Sequence, residues 1–244
     1  MVSYEGGLFS AARDPASLAG YLELHIEQGP RLVDGGFDIG IVTNIVGIRS
    51  ARVRFLGRAD HAGTTPMERR LDAALGASAF ALAVRQCVMD EYPGCVATVG
   101  NMDFEPGVSN VVPQAVLVSL EFRAEEDATL DAMEEALLKR ARLDAERYGL
   151  DLDVESLGSG SPAWMNASVR EAFRDAAETL GLAHTCLHSG AGHDAQCLAS
   201  ICPTGMIFVP SVGGFSHSSR EYTEWHDCVN GANVLLQAAL LLAP

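Results

Sequence analysis

The chain has 244 residues, 48% of them hydrophobic and 20% charged, with 17 basic against 32 acidic side chains for a formal net charge of −15. That length and composition describe a globular protein of one large or two smaller domains, with a core that needs no disulfides. The acidic balance argues against a nucleic-acid surface, because phosphate binding requires clustered Lys and Arg. The six cysteines form no Cys-x-x-Cys pair, which argues against a structural zinc knuckle and for reduced thiols in the cytoplasm. Residues 1–7 show no basic region followed by an apolar run, so no signal peptide is expected. The most apolar stretch, 232–244, is shorter than the roughly 20 residues of a membrane span and reads as a core helix.

In chain order, Asp14 and Pro15 form an N-cap followed by a first-turn proline. Residues 21–27 alternate strictly, which predicts a strand with Leu22, Leu24 and Ile26 on one face and Tyr21, Glu23, His25 and Glu27 on the other. Gly35 and Gly36 then break the chain before an apolar strand over 39–45. Next come a strand (50–56), a helix (66–89), two strands (96–104 and 114–123), a helix (128–148) and a strand (150–156). This β-α-β-β-α-β order is that of a ferredoxin-like domain. Thr64, Thr65 and Pro66 give its first helix a start signal, and Leu130, Met133, Leu137 and Ala141 give the second its buried stripe. Beyond Gly158 the pattern is a helix (166–180), a short strand (185–188), a glycine turn, a helix from His193, a strand (204–209), a loop (210–220) and a helix from about Asp227. The expected fold class is α/β, with 1–46 and 158–244 as two pieces of one α/β domain and 47–157 inserted between them.

Several residues stand where chemistry is possible. His25 lies on the polar face of its strand beside two carboxylates, a setting for a neutral imidazole metal ligand or for a satisfied core or surface histidine. His217 follows Gly213 and Gly214 in the loop after a buried strand, where ligands collect in open α/β sheets, although a flexible loop gives the same pattern. Ser216 is no nucleophile elbow, because Ser218 stands where glycine is needed and no helix opens at once. His61 lies just before an expected helix N-terminus, as an oxyanion donor or as a helix cap. Asn110 and Arg123 share the inserted domain. Val116, Val118, Leu120 and Phe122 face its core, so Arg123 points the other way, to hold a carboxylate or to be solvated. The turn 190–194 lacks the lysine of a phosphate loop, and His184, His188 and His226 read as structural or exposed.

Taken together, segments 23–30 (with Glu23, His25, Glu27, Gln28 and Pro30), 61–67, 109–113, 189–195 and 206–211, followed by Ser216 and His217, resemble the N-carbamoyl-L-amino-acid hydrolase and allantoate amidohydrolase family. β-Ureidopropionases share these segments, and the group sits within the wider M20 metallopeptidase-like superfamily. The resemblance implies a partial M20-type catalytic α/β domain and an inserted ferredoxin-like lid used for dimerisation and substrate capture. It implies two divalent ions, zinc or manganese, with cobalt and nickel also suited to such ligands. It implies a homodimer that takes a small carbamoyl or ureido substrate, and no nucleic-acid or membrane partner. By motif match His25 and His217 are metal ligands, one per ion. His61 stabilises the oxyanion, Asn110 and Arg123 clamp the substrate carboxylate, and Gln28, Gly213 and Gly214 line the substrate site. Glu27, His193 and Asp194 belong to the motifs without an assigned role. The family's remaining ligands and its glutamate base precede the point matched by Met1, so only partial metal binding is expected. A non-catalytic carboxylate-binding module and an M20 exopeptidase are the competing expectations.

Overall fold

The computed structural model describes residues 13–243; residues 1–7, where no signal peptide is expected, lie outside them. In chain order the elements are β1 (Tyr21–Ile26), α1 (Arg31–Gly35), β2 (Ile39–Ile45), β3 (Gly47–Leu56), β4 (Asp60–His61), α2 (Ala73–Glu91), β5 (Val96–Glu105), β6 (Val111–Val112) and β7 (Ala115–Ala124). They continue with α3 (Asp127–Arg147), β8 (Asp151–Gly160), β9 (Ala163–Trp164), α4 (Ala167–Thr179), β10 (His184–Ser189), α5 (Asp194–Leu198), β11 (Thr204–Val209) and α6 (Trp225–Leu242). The chain forms two compact units, one of Met1–Ile45 with Ala163–Pro244 and one of Val46–Pro162.

The first unit is built on a sheet in the order β1-β11-β2-β10, with β9 paired to β2. β1 runs parallel to β11 and β10 parallel to β2, while β11 and β2 are antiparallel. The near-continuous apolar runs of β2 and β11 suit central strands, and both are buried. On one face Leu22, Leu24, Ile39 and Ile41 pack against Val169 and Phe173 of α4 and Val234 and Ala238 of α6. On the other, Leu32, Val42, Met206 and Phe208 form a second core with Ala195 of α5. Asn166 caps α4 by accepting the N–H groups of Ser168 and Val169 at 3.0 and 3.3 Å.

The second unit is a four-stranded antiparallel sheet, β5-β7-β3-β8, with β4 and β6 as a separate two-stranded extension. The β-α-β-β-α-β connectivity read from the sequence is present. Alternation in β7 buries Val116, Val118, Leu120 and Phe122, which form one core with Phe55, with Phe80 of α2 and with Leu130, Met133 and Leu137 of α3.

Three elements differ from the sequence reading. The helix expected from Pro66 begins at Ala73, because Pro66 is extended and leads only into the single 3-10 turn Met67–Arg69. Asp72 supplies the true cap, accepting the Ala74 N–H at 3.0 Å. The short α1, not expected at all, is closed by Gly36 at φ 66. The closing helix is not a core helix throughout: Gly231, Val234 and Ala238 are buried, whereas Leu236 and Leu240 are 56% and 62% exposed. Among the described residues no helix is long and apolar enough to cross a membrane.

Candidate active site

The alternation of β1 places Tyr21, Glu23 and His25 on one face of the first unit's sheet. His25 Nδ1 lies 2.8 Å from the Ile26 carbonyl oxygen. A carbonyl only accepts, so Nδ1 carries the proton and Nε2 keeps its lone pair. Across from it stands His193, the residue before α5, with ring centroids 4.6 Å apart and planes at 67°. Glu23 Oε2 accepts the Ala195 N–H at 2.8 Å, and its Oε1 lies 3.7 Å from His193 Nδ1. Glu27, the other carboxylate on this face, is occupied structurally. Its two oxygens accept the Arg31 and Leu32 N–H groups, both at 2.8 Å, and so cap α1.

The loop after β11 returns to the end of β1. Gln28 donates its backbone N–H to Ser211 Oγ at 3.0 Å and its side-chain amide to Ser216 Oγ at 2.9 Å. Ser216 Oγ and the His217 backbone N–H in turn donate to Glu221, at 2.9 and 3.1 Å. These two hydrogen bonds, with the His217 and His25 rings nearby, hold the Glu221 carboxyl below its usual pKa. Gly213 and Gly214 both sit at φ 68, and a Cβ on Gly214 would lie 2.9 Å from the Pro30 nitrogen. The glycine pair thus lets the His217 loop lie against the backbone of residues 29 and 30. Among the described non-glycine residues only Gln28 (φ 58) and His217 (φ 54) are left-handed. Such strain persists where the surroundings impose it and gathers at functional sites.

In the second unit, His61 is not at the N-terminus of an α-helix: it lies in β4, paired with Val111 of β6, so the helix-dipole argument does not apply to it. Its Nδ1 accepts the Gly63 N–H at 3.0 Å, which leaves Nε2 as the donor of the neutral ring. The Asn110 carbonyl accepts the Ala62 N–H at 3.0 Å, so Asn110 and His61 share one end of the sheet. Arg123 lies at the other end, opposite Ile48, with Nε and an Nη both donating to Glu121 Oε1 at 3.0 and 2.7 Å. From Ala115 to Arg123 the strand covers about 26 Å at its usual rise. One copy of the chain does not bring Arg123 together with Asn110 and His61.

The residues present fit the histidine contribution to a two-ion centre. His25 offers a free ring nitrogen, and His217 is anchored across the same cluster. Among the described residues no group of three or more His, Cys, Asp and Glu is arranged to hold an ion. A complete centre would need further ligands.

The model of peptidase family M20/M25/M40 matches residues 5–241. The chain belongs to this family. An N-carbamoyl-L-amino-acid amidohydrolase of Paenarthrobacter aurescens is 39% identical over 232 residues, covering 95% of this chain and 56% of its own. An allantoate amidohydrolase of Escherichia coli (strain K12) is 34% identical over 215 residues, 88% of this chain and 52% of its own. A hydantoinase/carbamoylase-family amidase from Burkholderia multivorans superposes with a TM-score of 0.86 at 42% identity, over 92% of this chain and 55% of its own. The chain therefore spans about half the length of the relatives it matches.

Within this M20 chain, sequence reasoning missed the groups that organise the cluster. Glu221 binds residues four and five positions before it, and no local pattern marks it. Ser189 and His193 were visible only as a glycine-turn motif. The buried His193 ring is pushed down to a pKa of about 4, first by burial and then by the His25 ring. Its ordinary value of 6.5 holds in the unfolded chain, so the unfolded state binds more protons between pH 4 and 6.5. The contribution is fully present above pH 6.5 and is lost as pH falls toward 4. Urea unfolding from pH 7.5 to 4.5 is expected to show a stability loss larger in the wild type than in His193→Gln by on the order of 3 kcal/mol. Equal pH slopes for the two proteins would refute the buried neutral ring.

Proposed function

We propose that this chain supplies the histidine ligands and the substrate clamp of a metal-dependent hydrolase that cleaves C–N bonds of small linear amides or amidines, namely N-carbamoyl-L-amino acids, ureido acids or allantoate. The observation that carries this is the Gln28–Ser216–His217–Glu221 cluster, where the two left-handed non-glycine residues meet at the carboxyl ends of β1 and β11. His25 and His217 each serve one ion, zinc or manganese, with cobalt or nickel as substitutes. When bound, such ions lower the pKa of a water and polarise the scissile carbon. His61 donates from Nε2 to the developing oxyanion. Arg123 leaves Glu121 to take the substrate carboxylate by two parallel hydrogen bonds, with Asn110 as the second donor. Gln28, Gly213 and Gly214 shape the wall beside the ions.

A clamp that uses Asn110 and Arg123 on one small carboxylate draws them from two copies, which supports a homodimer. The second unit has a surface for it: Leu75, Leu82 and Met89 are exposed at seven-residue intervals on α2, beside the sheet-edge strand β5. The remaining metal ligands come from the part of the fold that the relatives carry beyond the matched half. Edge strand β1 and the exposed Leu236 and Leu240 of α6 are surfaces that such a part would cover. Free cysteines throughout the described residues support a cytoplasmic location.

A substrate panel on the completed dimer tests the reading. Turnover of N-carbamoyl amino acids or allantoate is expected; turnover of dipeptides alone would establish an exopeptidase, and no turnover a carboxylate-binding module. In the same assay Arg123→Ala is expected to raise KM about 10- to 100-fold, the equivalent of 1.5–3 kcal/mol, with little change in thermal midpoint. Unchanged kinetics would remove Arg123 from the clamp.

A further inference from the structure

We infer that His193, pinned by Ser189, is a positioning residue for His25: it fixes the plane of the His25 ring so that Nε2 projects as a ligand, and it is not a ligand itself. The inference rests on the reading of His25 as a metal ligand and deepens it.

His25 and Phe208 are register partners on neighbouring parallel strands, so their side chains stand side by side on one face. The His193 ring lies across both, edge-on to His25 at 4.6 Å and tilted 54° to Phe208 at 5.5 Å. Its side chain is only 2% exposed. His193 is itself held by Ser189 Oγ, 2.8 Å from Nε2. The direction of that bond follows from a third group. Ser189 Oγ also lies 2.9 Å from the Ala191 carbonyl oxygen, which can only accept. The single hydroxyl proton therefore goes to Ala191, and Oγ accepts from His193 Nε2–H. The reverse assignment would face two oxygen lone pairs at 2.9 Å. Nε2 of His193 is thus committed to Ser189, while its Nδ1 lies 3.7 Å from Glu23 Oε1.

Two constraints then act on His25. The Ile26 carbonyl sets its tautomer, and the His193 ring blocks the rotation that would break that bond. Glu23 completes the frame by accepting the Ala195 N–H, which anchors the start of α5 directly behind His193. Outer groups that orient a metal-binding imidazole typically change metal affinity 10- to 100-fold when removed.

Long-range 1H–15N imidazole spectra of the metal-free protein at pH 8 read this directly, with zinc affinity measured by calorimetry on the same samples. The wild type is expected to show His25 as the Nδ1–H tautomer and His193 as the Nε2–H tautomer. In His193→Ala and Ser189→Ala, His25 is expected to become a mixture of tautomers and zinc affinity to fall about 10- to 100-fold. His193→Gln keeps an N–H toward Ser189 and is expected to retain the His25 signature and most of the affinity. A pure Nδ1–H His25 in a folded His193→Ala overturns the inference; should that variant not fold, Ser189→Ala decides by the same criterion. A wild type that binds no zinc would defeat the ligand reading alone, since the tautomer comparison needs no metal.

Discussion

Gly214→Ala is expected to destabilise the first unit by about 2–3 kcal/mol and to weaken divalent-metal binding along with it. The cause is twofold. At φ 68 an alanine sits in a backbone region that only glycine enters freely. Its Cβ would also lie 2.9 Å from the Pro30 nitrogen and 3.0 Å from the Gly29 carbonyl carbon. Both neighbours are backbone, so neither can rotate away, and the loop must lift. Lifting it separates Ser216 and His217 from Gln28 and breaks the bonds through Ser216 and Ser211. Gly36→Ala is the control, because its φ of 66 imposes the same backbone strain and its Cβ meets nothing within 4 Å. Urea midpoints that fall equally in the two variants, with metal affinity untouched in Gly214→Ala, would show that close approach of the loop to residues 29 and 30 does not matter.

Phe173→Ala is expected to cost about 3–5 kcal/mol, the range for emptying a fully buried aromatic site. Phe173 is completely buried between α4 and the first unit's sheet, where it packs with Ile39, Ile41 and Ile207. A Cβ on Gly205 of β11 would lie 3.1 Å from the Phe173 ring, so this aromatic sits directly on strand backbone. Close packing of this kind leaves the site little room to collapse. The expected observation is a lower urea midpoint, with amide exchange accelerated in β2, β11 and α4. A loss below 1 kcal/mol would mean that this core relaxes around the cavity.

The fold was legible where one periodicity governed an element. Strict alternation over Tyr21 to Ile26 gave the strand and the face that carries His25, and the run from Ile39 to Ile45 gave its strand to the residue. Alternation also settled which way Arg123 points. What remained hidden depended on contacts between segments or on competing local signals. Thr64, Thr65 and Pro66 carry the chemistry of a helix start, but Asp72 six residues later offers a cap at the point where the buried stripe of α2 begins. Reading the first signal placed His61 at a helix dipole that is not there. Glu27 shares a face with His25 and had no assigned role; the glycine-stopped turn that follows makes it a cap. The pairing of Gln28 with Ser216 spans 188 residues and leaves no local trace. The separation of Asn110 from Arg123 follows from strand register, which motif order does not encode.

The central claim is that His25 and His217 are the ligands this chain contributes. Zinc titration of the wild type, His25→Ala and His217→Ala by calorimetry at pH 8 tests it most directly. Two imidazoles without their partner ligands bind a divalent ion weakly, so a dissociation constant above about 1 μM is predicted for the wild type, weakened further in each variant. Zinc binding of the same strength in all three proteins would contradict the account.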